Sequence, residues 1–187
     1  MIGLVLGDTQ LGTLIIKKLR LLKIKYTIID ISEKKIFSKD KYSYPLSIGQ
    51  LGKAITILKK NKCKKVIFAG RVIRPNFIKT KFDLKGLYYL PKIIKSSKKG
   101  DAYIIKEIIK IFKKEKIKLI NQTYFNKELS IKKRGNITKQ KIDLKSRKDF
   151  MLGKKIVEDL KKNNVGQAIV VRDSHVIAIE NQHGTNF

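Results

Sequence analysis

Cysteine is nearly absent: the 187 residues contain one, Cys63, placed between Lys62 and Lys64. A lone thiol excludes an intramolecular disulfide framework, and with no CxxC pair or histidine partner it offers no metal or redox site, so a reducing cytoplasm fits best. Long apolar runs are missing as well, since no window approaches the roughly 18 apolar residues of a membrane span. Met1 to Leu6 enters a strand-like stretch without a basic leader, so a soluble, cytoplasmic chain is expected. Acid is scarce, 15 residues against 44 basic ones, for a formal charge of +29. That excess first suggests a polyanion partner. Arginine, however, is also scarce: Arg20, Arg71, Arg74, Arg134, Arg147 and Arg172 are the only six. Nucleic-acid sites favour the planar guanidinium fork, whereas these lysines spread over every helix-like segment and read as solvated faces. The positive potential still attracts phosphorylated substrates and anionic head groups.

What is present is an alternation of strand-like and helix-like segments, in a chain long enough for one full domain and part of a second. Ile2 to Leu6 is a buried-strand run, and Leu11 to Leu22 carries Leu11, Leu14, Ile15, Leu19 and Leu22 at helical spacing. Tyr26 to Ile31 completes a βαβ unit, from which a parallel sheet follows. After a polar loop from Lys34 to Ser47, a helix is expected over Gly49 to Asn61 with Leu51, Ala54, Ile55 and Leu58 inward, then a strand over Val66 to Ala69. Asp83 to Ser97 reads as helical pieces broken at Gly86 and Pro91. Asp101 opens a helix with Ile104, Ile105, Ile108, Ile109 and Phe112 as its buried stripe, followed by a strand over Ile117 to Asn121. The polar stretch Ser130 to Lys148 marks a boundary, Asp149 starts a last helix to about Lys162, and a hairpin follows with Asp173 and Ser174 at its turn. The expected organisation is a first domain over 1–130, a linker over 131–148 and an incomplete second domain over 149–187.

Three places carry chemistry. The turn Gly7-Asp8-Thr9-Gln10-Leu11-Gly12-Thr13 joins the first strand to the first helix, where small residues let backbone N–H groups and a helix N-terminus approach a phosphate. It has neither the Walker lysine nor the dinucleotide glycine spacing, so a phosphate cradle and a plain tight turn both stay open. Asp30 ends the second strand, a position from which an acid holds a ribose hydroxyl, and a solvated strand-end acid is the plainer reading. Phe68-Ala69-Gly70-Arg71-Val72-Ile73-Arg74-Pro75 sets two scarce arginines just past a strand's carboxyl end, where open α/β sheets bind ligands and a guanidinium pair forks onto diphosphate. His175 and His183 stand too far apart for metal spacing and read as structural.

Several segments taken together resemble one family, the LpxI-type UDP-2,3-diacylglucosamine pyrophosphatases. They are Ser47-Ile48-Gly49-Gln50-Leu51-Gly52-Lys53, Phe68 to Phe77, Gly100-Asp101, Gly166-Gln167, and Ala178-Ile179-Glu180 leading to Gly184-Thr185. The resemblance implies a Rossmann-like, parallel-sheet N-terminal domain and the beginning of a second, incomplete α/β domain, with a cleft between them. It implies a hydrolase of lipid A biosynthesis that splits UDP-2,3-diacylglucosamine to UMP and lipid X with Mg2+ or a similar divalent cation, the metal ligands being unassigned. The substrate-binding positions it suggests in the first domain are Gly7, Gln10, Gly49, Gln50, Gly70, Arg71, Arg74, Gly100 and Asp101. Those in the second are Gln167, Glu180, Gly184 and Thr185. The family continues past its Glu-x-x-x-Gly-Thr segment to an essential aspartate and usually has aspartate where Asn186 stands. The catalytic group is therefore expected beyond Phe187, with little or no turnover by these residues alone. The alternatives are a non-catalytic nucleotide- or lipid-phosphate-binding module and, third, a basic nucleic-acid-binding protein. Peripheral contact with the inner membrane surface is expected of an enzyme with a lipid substrate, and a homo-oligomer is left open.

Overall fold

The computed structural model describes residues 1–72, 80–97, 100–131, 139–163 and 165–180. By contacts the chain divides into two units, Met1–Ile93 with Glu107–Ile131, and Ile94–Lys106 with Lys132–Phe187.

The first unit is built on a five-stranded parallel sheet. In chain order the elements up to the last strand of this sheet are β1 (Ile2–Leu6), α1 (Gln10–Leu21), β2 (Tyr26–Asp30), β3 (Ser43–Pro45), α2 (Leu51–Lys60), β4 (Lys65–Ala69), α3 (Leu84–Ser97), α4 (Asp101–Lys114) and β5 (Lys118–Leu119). The strands lie in the order β3-β2-β1-β4-β5. Because the order runs one way from β1 to β3 and returns the other way to β4 and β5, right-handed crossovers must place helices on opposite faces. Side chains bear this out. Ile2, Leu4, Leu6, Ile28 and Ile67 pack with Ile15, Ile16 and Leu19 of α1 on one face. Ile29 and Val66 pack with Leu51, Ala54, Ile55 and Leu58 of α2 and Ile111 and Phe112 of α4 on the other.

Several expectations need correction. The buried stripe of α1 is Gly12, Ile15, Ile16 and Leu19, while Leu14 and Leu22 are exposed. The helix is apolar on more than one side, and the face that lets Gly12 come against the Phe37 ring is the one buried. The polar loop from Lys34 to Ser47 contains β3, an edge strand of three residues pairing with Ile28 to Asp30. Its brevity and terminal Pro45 hide it from any pattern of period two. The stretch after Asp83 is one continuous helix, with Gly86 buried and Pro91 inside. Pro91 lies on the exposed side above Leu87, so the carbonyl it leaves without a donor is not in the core. In α4, Ile105 is exposed and Ile111 is buried in its place. The first turns of α4 belong to the second unit and only its last turns pack on the sheet.

Of the second unit, the described residues form α5 (Leu144–Asn163) and an antiparallel hairpin of β6 (Ile169–Arg172) and β7 (His175–Ile179). The helix starts at Leu144, five residues before the expected Asp149. Asp143 accepts from the Ser146 N–H at 2.6 Å, an N-cap contact within the stretch expected to be linker. Asp173 and Ser174 both have positive φ, 53° and 61°, the turn geometry whose twist suits a two-residue hairpin. Asp149 of α5 accepts from both their N–H groups, at 2.9 and 2.6 Å, which fixes the hairpin on the helix.

Candidate nucleotide-phosphate site at the sheet switch point

Between β1 and β4 the strand order reverses, and open α/β sheets bind ligands beyond the carboxyl ends of the strands at such a point. Here two loops meet at close range. Gly7 N–H donates to the Ala69 carbonyl at 2.9 Å, Asp8 N–H to the Arg71 carbonyl at 2.7 Å, and Thr9 N–H to the Gly7 carbonyl at 3.1 Å. Gly70 has φ +95°, and a Cβ there would stand 2.7 Å from the Gly7 carbonyl oxygen. A Cβ on Gly7 would stand 2.2 Å from the Arg71 carbonyl oxygen. Both glycines are thus required by backbone lying on backbone.

This arrangement spends the loop N–H groups that the opening turn was expected to offer a phosphate. The donors left for an anion are those of the first turn of α1, starting at Gln10, because a helix's first amides have no intrahelical acceptor. Thr9 makes no side-chain cap and the first turn holds no acid, so the positive helix end is uncompensated there. Gln10 is exposed at that end. Leu11 and Gly12, whose amides complete the turn, lie within the Gly7 to Thr13 segment singled out in the sequence.

Arg71 leaves the end of β4 beside this turn and is exposed. Its carbonyl accepts from Asp8, and its guanidinium has no ion pair or hydrogen bond among the described residues. On the β5 side, Gln122 donates to the Phe68 carbonyl at 2.8 Å, bringing a side-chain amide to the carboxyl end of β4. On the β2 side, Lys35 donates to the carbonyls of Asp30 and Leu46, at 3.2 and 2.5 Å. Neither residue stands out in a chain so rich in lysine and polar side chains.

Asp30 is a correction. It is fully buried, and its carboxylate accepts from Ser32 N–H, Ser32 Oγ and Phe37 N–H at 3.0, 2.5 and 3.0 Å. It is therefore neither solvated nor free for a ribose hydroxyl; it shapes the loop after β2. Asp8 turns the same way, accepting from the Glu33 N–H at 3.1 Å.

Gly49 and Gln50 are engaged within the fold. Gln50 Oε1 accepts from the Ser47 N–H at 2.9 Å, and Gly49 is buried against Lys81 and Phe82. The anion at the N-terminus of α2 is the protein's own: Asp83 accepts from Gly52, Lys53 and Gly86 N–H groups at 3.1, 2.7 and 2.8 Å, capping α2 and α3 together. Partial burial pushes the Asp83 carboxyl up, but the three N–H donors outweigh it and hold it below the usual carboxylate range. A carboxyl so depressed adds stability in full above the unfolded value of about 3.9, and that contribution is lost as pH falls through the folded value. Asp83→Ala is expected to lower stability by about 2 kcal/mol at neutral pH, about 1 per cap, and to flatten the acid limb of a urea-midpoint-against-pH profile. An unchanged midpoint would remove the double-cap reading.

In the second unit Gln167 N–H donates to Glu180 Oε2 at 2.7 Å, and Glu180 N–H to the Ala168 carbonyl at 3.0 Å, so these two predicted residues meet at the open end of the hairpin. Gly100 has φ +112° just before α4, which Asp101 opens. Arg74, Gly184 and Thr185 lie outside the described residues. Among the described residues no three His, Cys, Asp or Glu side chains cluster as metal ligands. Asp30 is held by Ser32 and Phe37 and Asp8 by the Glu33 N–H, so the described residues at this end of the sheet offer no side-chain set that fits a divalent cation.

A doubly wound parallel sheet with glycine-closed loops at its switch point, and beside them an arginine without an ion pair among the described residues, defines a Rossmann-like α/β domain. Residues 1–129 match the model of the LpxI N-terminal domain and residues 133–187 that of the LpxI C-terminal domain. The chain belongs to the LpxI family. It is similar to the UDP-2,3-diacylglucosamine pyrophosphatase LpxI of Caulobacter vibrioides, 29% identical over 150 residues that make up 80% of this chain and 53% of that protein. The chain thus spans about half the length of the curated relative it matches.

Proposed function

We propose that the first unit holds the diphosphate of UDP-2,3-diacylglucosamine at the switch point, and that the chain serves hydrolysis of that compound to UMP and lipid X in lipid A biosynthesis. Family membership supports the reaction class, and Arg71 beside the α1 N-terminus is the observation that carries the site. Water attacking a diphosphate phosphorus builds negative charge on the phosphoryl oxygens. Helix amides already aimed at that position, with a guanidinium that forks onto two oxygens, stabilise such charge without rearranging. The main-chain clasp between Gly7–Asp8 and Ala69–Arg71 holds the Arg71 backbone beside the turn that leads into α1. Gln10 and Gln122 are placed to accept or donate at either side of the phosphates.

No described residue is assigned the water-activating role. Magnesium is the divalent cation that the family resemblance implies. A cytoplasmic location, with peripheral contact at the inner membrane surface, follows from the proposed lipid substrate. Among the described residues no helix is long and apolar enough to cross a membrane.

Calorimetry with UDP and UMP tests the site, and UMP release from UDP-2,3-diacylglucosamine with and without magnesium tests the reaction. Binding of UDP is expected in either condition. UDP binding without UMP release would favour the non-catalytic binding module, and absence of UDP binding would overturn the site.

A further inference from the structure

Helix α3 is apolar on its outward side as well as its inward one. Its inward side is made by Gly86, buried against the Gly49 carbonyl, and by Tyr89, packed on the second core cluster. Lys85 beside them is drawn into an ion pair with Glu115. Its outward side consists of Leu84, Leu87, Tyr88 and Pro91, the i, i+3, i+4 and i+7 positions that line up along one face. These side chains are bare: Leu84 is 87% exposed, Leu87 51% and Tyr88 71%. A helix facing water ordinarily presents charged residues on that side, and this chain has lysine in abundance for the purpose. Here the lysines instead bracket the stripe, with Lys81 before the helix and Lys92 and Lys95 in the part of the helix that follows Pro91, all exposed.

The stripe also has a definite place. Asp83 ties the first turn of α3 to the first turn of α2, which follows directly from the carboxyl end of β3. The apolar face therefore begins at the same end of the sheet as Arg71 and the α1 N-terminus.

We propose that the Leu84-Leu87-Tyr88-Pro91 face of α3 is a docking surface for an anionic lipid bilayer, lying in the interface plane with its lysines on head-group phosphates. Charge complementarity selects this occupant. An apolar stripe flanked by lysine on a strongly basic chain matches a surface that is apolar below and negative above, and tyrosine suits the boundary between the two. The proposal deepens the reading of the substrate as a lipid, because docking through this face brings the phosphate-binding end of the sheet to the bilayer. It rests on that reading for its purpose but not for its test.

The chain contains no tryptophan, so a single introduced one reports unambiguously. Tyr88→Trp is compared with Tyr42→Trp, at the exposed Tyr42 beside the amino end of the sheet, as the control. On adding phosphatidylglycerol vesicles the Trp at position 88 is expected to shift its emission to the blue and to be quenched by brominated acyl chains, while the Trp at position 42 does neither. Leu84→Ser combined with Leu87→Ser is expected to lower vesicle partitioning at least ~10-fold at fixed salt. Pure phosphatidylcholine vesicles are expected to bind far more weakly. A vesicle-bound protein whose Trp at position 88 still emits as in water would overturn the proposal, since general lysine attraction would then suffice. An emission already blue without vesicles, in step with self-association, would overturn it in favour of a second copy. UDP calorimetry on the same variants separates the two readings: loss of UDP binding with insertion intact sinks the phosphate site and spares the surface.

Discussion

Arg71→Ala is expected to weaken UDP binding by about 10- to 100-fold while leaving the unfolding midpoint unchanged. The guanidinium makes no pair among the described residues, so its removal breaks no ion pair or hydrogen bond among them. What the fold needs from this residue is the carbonyl that accepts from Asp8, and alanine supplies it equally well. A charge-assisted hydrogen bond to an anion contributes about 1.5–3 kcal/mol, and two in a fork set the upper end of the range. Arg71→Lys keeps the charge and loses the fork, so its affinity should fall between the two. Calorimetry of the three proteins at one ionic strength checks the order. Wild-type affinity in the alanine variant would take Arg71 out of the site.

Gly70→Ala is the second large effect, on stability and binding together. The residue has φ +95°, and its added methyl carbon would meet the carbonyl oxygen, carbonyl carbon and nitrogen of Gly7 at 2.7, 2.8 and 3.0 Å. Those neighbours are backbone in a clasp of two hydrogen bonds, and they cannot swing aside as a side-chain tip does. A loss of about 3 kcal/mol is expected from backbone strain and overpacking together, a large part of the stability of a small domain. Gly100→Ala is the comparison: φ is +112° there, but nothing among the described residues lies within 4 Å of the added carbon. Only the conformational cost of about 1 kcal/mol should then appear. Urea unfolding of the pair separates the clash from the strain. Equal losses would mean that the Gly7–Gly70 contact contributes nothing of its own.

The parts of the fold legible in the sequence were those where one periodicity has one explanation. Leu51, Ala54, Ile55 and Leu58 are the buried face of α2 as spaced, and the runs at Ile2 and Val66 are central strands because both their faces are covered. The turn at Asp173 and Ser174 was legible from local chemistry. What could not be read depended on partners far away in sequence. Gly86 and Pro91 look like breaks until Asp83 is seen capping two helices and Gly49 is seen lying on Gly86. Asp30 looks like a ligand residue until Phe37, seven positions on, donates its amide.

At the site the same division holds. Gly7, Gln10, Gly70 and Arg71 are brought to one end of the sheet, as an α/β switch point requires, because each directly follows β1 or β4. Which amides remain free was not legible, since the Gly7–Arg71 clasp is set by register between loops more than 60 residues apart. Gln122 and Lys35 carry residue types too common in this chain to be singled out.

An amide-resolved NMR titration with UDP tests the central claim most directly, because it locates the diphosphate without requiring turnover. Shifts are expected to cluster at Gln10, Leu11, Gly12, Gly70 and Arg71, and to vanish in Arg71→Ala at the same UDP concentration. Shifts gathered instead around Lys23, Lys25 and Tyr42 at the amino end of the sheet, with the α1 first turn unmoved, would contradict it.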